Sequence, residues 1–153
     1  MSEASTRQIA VLGLLQWVSY SGLMGESLKG ISSSDSANAM VWWQHRKLRT
    51  HPIFSKLSDD EFRAAQATAK RQWDKVCFKP DERHQNELWA ISVHGAGWEV
   101  ETLELAMEVV LADGEVRGKE RQALGALAGV LNIGDDLYKA TADRVLRRLR
   151  DEN

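Results

Sequence analysis

Apolar residues recur at three- and four-residue spacings along almost the whole chain, and only two prolines, Pro52 and Pro80, interrupt them. Three- and four-residue spacing buries one stripe of a helix, whereas a half-buried strand needs alternation. Long β-branched runs are few. The pattern predicts an all-α protein of about seven helices, and 153 residues suit a single compact domain with one core.

The first helix runs from about Ser5 to Tyr20 and is apolar around most of its circumference, which places it deep in the bundle. Ser21-Gly22-Leu23-Met24-Gly25 should break it and open a loop reaching Ser34. A second helix follows from about Asp35, carries Ala39, Trp42 and Arg46 on one stripe, and ends at Thr50-His51-Pro52. Ser58-Asp59-Asp60-Glu61 has the form of a capping box, with Leu57 and Phe62 as its hydrophobic staple. The third helix then reaches about Cys77, with Phe62, Ala65, Ala69 and Val76 inward. Phe78-Lys79-Pro80 stops it. Asp81 and Glu82 suit the start of a fourth helix, where His84, Leu88, Ile91 and Gly95 share a stripe. Gly95-Ala96-Gly97 breaks that helix. The fifth spans about Val100 to Ala112 with Leu103, Ala106, Val109 and Val110 inward. The sixth spans about Gly118 to Leu131, and Asn132-Ile133-Gly134 turns the chain. Asp135-Asp136 open the seventh, with Leu137, Val145 and Leu149 inward and Arg144, Arg147, Arg148 and Arg150 toward water.

Charge narrows the functions. Lys+Arg 20 against Asp+Glu 22 gives a net charge of −2, which supplies no general attraction for nucleic acid. The stretch Trp42 to Arg49 mixes aromatics with basic groups, as single-strand binders do. Inward tryptophans and a solvated basic face near a helix C-terminus account for it more simply. The one cysteine, Cys77, cannot form an internal disulfide and reads as a small buried hydrophobe. The apolar run Ile9 to Leu15 is shorter than the ~18 residues that suggest a membrane span. Glu3 offsets Arg7 before it, so no secretory leader is expected and the protein is expected to be cytoplasmic. His84 and His94 are ten residues apart and make no local metal pair.

One stretch carries candidate chemistry. Asp113-Gly114-Glu115 and Glu120 lie between the fifth and sixth helices. Ala106, Val110 and Asp113 fall at i, i+4, i+7, and Glu120, Leu124, Leu127 and Leu131 at i, i+4, i+7, i+11. Asp113 and Glu120 therefore each occupy the loop end of an inward stripe, with Glu115 between them. Half-buried carboxylates repel and are costly unless something satisfies them. Local capping of the helix ends is one solution. A bound hard cation, Ca²⁺ or Mg²⁺ in preference to Zn²⁺, is the other. The spacing is not that of an EF-hand, and no histidine is adjacent. With no nucleophile or phosphate loop in company, no catalytic reaction and no organic cofactor are expected.

Asp113-Gly114-Glu115-Val116, then Glu120-Arg121 and the run Leu124 to Ala128 leading to Leu131-Asn132-Ile133, resembles the second half of the tellurite-resistance TerB-like family. His51-Pro52-Ile53-Phe54 before Leu57-Ser58 resembles the middle of that family. The resemblance implies an all-helical domain of two related halves, here about 5–78 and 80–150. It implies metal-chelating acids at the helical hairpins, at positions matching Asp113, Glu115 and Glu120. It also implies a stress-response role in protein complexes that can be peripheral to membranes, rather than catalysis. Arg117-Gly118 departs from the family's usual start to the sixth helix. Aligning Val18-Ser19-Tyr20-Ser21-Gly22-Leu23-Met24 on Val110 to Val116 keeps the glycine and loses both acids, so only the second half is expected to bind an ion. The alternative is a metal-free helical interaction module that docks on a protein partner through its tryptophan-rich first half.

Overall fold

Helices α1 (Thr6–Ser27), α2 (Asp59–Val76), α3 (Glu82–Ala96), α4 (Glu99–Leu111), α5 (Gly118–Val130) and α6 (Asp135–Asp151) make up the architecture, which is all-α. The computed structural model describes residues 5–27, 48–76, 79–111 and 118–151, and for 19–27, 109–111, 118–120 and 149 the backbone alone. Among the described residues there is no strand, and residues 48–50 are also helical. The expected second helix from Asp35 otherwise lies outside the described residues, as do Cys77, Trp42 and Trp43.

The first helix is the hub. Ala10, Val11, Leu12, Leu14, Leu15 and Val18 are all buried, because α2, α3, α4 and α5 each pack against α1. Apolar residues on nearly every side are what such a position requires. The helix continues to Ser27 rather than breaking at Ser21. An interior glycine costs a helix only about 1 kcal/mol, and no proline stands between Thr6 and Ser27 to force a stop.

Two capping boxes set helix starts. The amide of Ser58 donates to Glu61 Oε1 at 2.9 Å and the amide of Glu61 to Ser58 Oγ at 3.1 Å. Leu57 and Phe62 are buried beside them, as the staple requires. Ser5 and Gln8 make the same reciprocal pair at the start of α1, at 2.9 and 3.2 Å. Gly97, at φ 71°, closes α3. Its amide donates to His94 O and that of Trp98 to Val93 O, so left-handed backbone satisfies the last carbonyls. Asn132, at φ 58°, closes α5 in the same way, with the Ile133 amide on Ala128 O.

Two helix faces differ from expectation. On α3 the stripe of Leu88 and Ile91 faces outward, 45% and 66% exposed, while Asn86, Trp89, Ala90 and Val93 are buried. Trp89 decides this: its indole lies where a Cβ on Gly13 of α1 would be, and its Nε1 donates to Gln72 Oε1 of α2. A large aromatic seated between two neighbours outweighs two aliphatic side chains. On α6, Leu137 is 44% exposed, and the inward stripe is Tyr138, Thr141 and Val145. Tyr138 takes the inward position because it covers more apolar area one residue away.

Candidate functional site

The acidic hairpin joins α4, which ends at Leu111, to α5, which begins at Gly118. Asp113 and Glu115 lie outside the described residues. Glu120 stands in the first turn of α5, described in backbone only. The stripes that lead toward these acids are buried as expected: Leu103 and Ala106 on α4, and Leu124, Leu127 and Leu131 at the other end. Position 120 belongs to the same helical register as Leu124, Leu127 and Leu131. Among the described residues, no three His, Cys, Asp or Glu side chains converge in a way that would hold a metal ion.

Beside the hairpin, α4 and α6 are clamped by charge. Arg144 Nε donates to Glu104 Oε1 at 2.7 Å. Arg148 Nη2 lies 2.8 Å from Glu108 Oε1 and 3.6 Å from Glu104 Oε2. Two of the four arginines expected to face water thus hold helix to helix, while Arg147 and Arg150 are exposed. Arg49 is likewise engaged. It donates to Phe54 O at 3.0 Å and to Asp59 Oδ1 at 3.2 Å, and lies 5.2 Å over the Phe62 ring.

His51 organises the turn between residue 50 and α2. Its carbonyl accepts from the amides of Phe54 and Ser55, both at 2.9 Å, and its Nδ1 accepts from the Ile53 amide at 3.2 Å. Accepting at Nδ1 requires the neutral imidazole. Burial pushes its pKa below the ordinary histidine value of 6.5, opposed by the carboxylates of Glu101 and Glu104 and reinforced by Arg148. His51 also lines a shallow cleft of about 460 Å³ with Gln8, Trp98 and Glu101.

A larger cleft of about 750 Å³ opens between α1, α3 and α5. Trp17, Ala90, Ile91, Ala126 and Gly129 are among its apolar lining residues, and Lys79, Glu82, Arg83 and Glu87 among its charged ones. Asn86 sits in its wall, 4% exposed, and its Oδ1 has no hydrogen-bond partner among the described residues. Sequence reasoning passed over Asn86. The signal was its i, i+3, i+4, i+7 spacing with Trp89, Ala90 and Val93, a polar residue on an apolar stripe. His94 at the far end is held by Glu99, with Nδ1 3.0 Å from Oε1.

No family model matches the chain, and neither does any curated protein or any solved structure. Among the described residues no helix is long and apolar enough to cross a membrane.

Proposed function

We propose that the chain is a TerB-like binding or scaffold module, of two degenerate halves, that takes one divalent cation at the second-half hairpin. Asp113, Glu115 and Glu120 are the ligands in this reading, and the hard oxygen set favours Ca²⁺ or Mg²⁺ over Zn²⁺. The role is non-enzymatic: a metal-stabilised hairpin presented to a protein partner in a cytoplasmic stress-response complex, free or peripheral to a membrane. The observation that carries it is the pairing of α4 and α5. Two core helices, buried along Leu103 and Ala106 and along Leu124 and Leu127, are joined by only the six residues 112–117, among which Asp113 and Glu115 fall.

Thermal melting during titration with Ca²⁺, Mg²⁺, Mn²⁺ and Zn²⁺ tests it. A cation held only by the folded chain should raise Tm by about 5–10 °C at a hundredfold excess over Kd. Asp113→Asn with Glu120→Gln should abolish that rise. If no cation moves the melt, the acids are helix caps. Each single change then costs about 0.5–2 kcal/mol without any metal.

The metal-free docking module is the second reading, and Trp17 favours it by standing half-buried in the wall of the large cleft. Trp73 and Trp89 belong to the core and contribute nothing to such a face. Iodide quenching of tryptophan fluorescence separates the readings: a docking face requires a substantial quenchable fraction.

A further inference from the structure

Three carboxylates lie along one stripe of α4. Glu101, Glu104 and Glu108 fall at i, i+3 and i+7, which puts them on one side of the helix. Arg144 and Arg148 of α6 serve Glu104, and Arg148 also serves Glu108. Glu101, partly buried at the N-terminal end of the stripe, has neither a hydrogen bond nor an ion pair among the described residues. It lines the same cleft as His51. The helix N-terminus offsets part of the cost of such a carboxylate, and a cation beside it would offset more.

His51 can supply that cation, but only by giving up what it does when neutral. The neutral ring accepts from the Ile53 amide at Nδ1, 3.2 Å away, which leaves its own N–H at Nε2. A second proton turns Nδ1 into a donor that faces a donor, and it charges the ring. We infer that His51 is a proton-operated switch with two exclusive partners: the neutral ring holds the Ile53 amide, and the imidazolium leaves it to pair with Glu101 of α4. Ile53 is buried and its carbonyl accepts from Gln8 of α1 at 2.6 Å, so the released amide belongs to the residue that ties the turn to α1. The backbone of the turn is not at stake, because the amides of Phe54 and Ser55 are held by the His51 carbonyl. The proton therefore moves one side-chain tie from the turn itself to α4. Each neighbouring element bears on the charge. From α4, Glu101 and then Glu104 favour it; from α6, Arg148 opposes it; the start of α1 brings only the uncharged Ser5 and Gln8 to the cleft. Burial, with Arg148, outweighs the two carboxylates, so the switch operates below the ordinary histidine value of 6.5.

An NMR titration of the full chain from about pH 8 downward tests this. At the start, the ring ¹⁵N signals should show the Nε2–H tautomer. Through the imidazole transition the Ile53 amide should lose about two- to tenfold in exchange protection, corrected for the intrinsic rate, which is the contribution of one net hydrogen bond. The Phe54 and Ser55 amides should keep theirs, and the Glu101 side-chain carboxylate ¹³C signal should move at the same midpoint. Glu101→Gln should lower that midpoint and Arg148→Ala should raise it, each carrying the change at Ile53 with it. Both residues are at least partly exposed, so both variants should fold. The wild-type titration decides the matter even without them. The inference is overturned by an Nδ1–H tautomer in the neutral state, by an Ile53 amide that ignores the transition, or by a Glu101 signal that stays still through it. It is equally overturned if Ile53, Phe54 and Ser55 lose protection together, which would mean that the turn unfolds, or if either variant leaves the midpoint in place.

Discussion

Gly13 and Trp89 are two halves of one contact. A Cβ at Gly13 would stand 2.4–2.6 Å from the atoms of the Trp89 indole, well inside contact distance. The indole cannot swing aside freely, because Gln72 holds its N–H and its ring lies in the core. Gly13→Ala should therefore destabilise the fold by about 1–3 kcal/mol, although alanine is the better helix former. Urea unfolding checks it, and a shrunken ring in Trp89→Phe should recover part of the loss. His51 carries a second residue-scale prediction. Its folded pKa is lowered, so between that value and about 6.5 the unfolded chain binds more protons than the folded one. Stability from His51 is full above about pH 6.5 and falls as pH drops through that window. Protonation places a hydrogen on the nitrogen that accepts from Ile53. His51→Asn can keep an acceptor for that amide and does not titrate. The difference in urea midpoint between pH 7.5 and pH 5.5 should be smaller in this variant than in the wild type. An unchanged difference would show that the pH dependence arises elsewhere.

Charge adds to the packing that holds α6 on α4. Arg148 spans Glu104 and Glu108, and Arg144 adds a second bond to Glu104. Both guanidiniums are about half exposed, so the contribution is modest. Arg148→Ala should cost about 0.5–1 kcal/mol, and the cost should shrink in high salt. Measuring unfolding of both proteins at two ionic strengths decides this. At the same scale, the sequence made some elements legible and left others hidden. The Ser58–Glu61 box was legible because a cap is a local contact between residues three apart. The Ser5–Gln8 box had the same form and passed unnoticed among the apolar residues that follow. The end of α1 was hidden, because Gly22 and Gly25 lower helix propensity without forbidding a helix. The face of α3 was hidden for a different reason. Leu88 with Ile91, and Trp89 with Val93, are both valid helical stripes, and only the space left by Gly13 chooses between them. The acidic hairpin was legible in its flanks, since the registers of Leu103–Ala106 and Leu124–Leu131 are set by local spacing. The cleft was not, because three helices from distant parts of the chain build it.

At the scale of the whole molecule, the described helices are arranged around α1. Its described side chains include six buried hydrophobic residues, and α2, α3, α4 and α5 all pack on it, whereas α6 rests chiefly on α4. Because α4 and α5 both pack against the hub, anything that ties residues 112–117 in place stabilises helices that the rest of the core depends on. A thermal melt is therefore a fair report on an ion at that hairpin. The same arrangement predicts an order of opening. Amides near Leu12, Leu14 and Leu15 exchange only when four packed neighbours are lost together, which amounts to global unfolding. Helix α6 buries Thr141 and Val145 on one neighbour and is otherwise held by half-exposed arginines. It can leave α4 while the hub stays intact. Native-state hydrogen exchange should find the middle of α1 at least about tenfold slower than α6. Arg148→Ala should widen that gap by speeding α6 alone. Equal protection of α1 and α6, with a denaturant dependence common to both, would mean that the helices open as one unit and that α1 has no special place in the cooperativity of the fold.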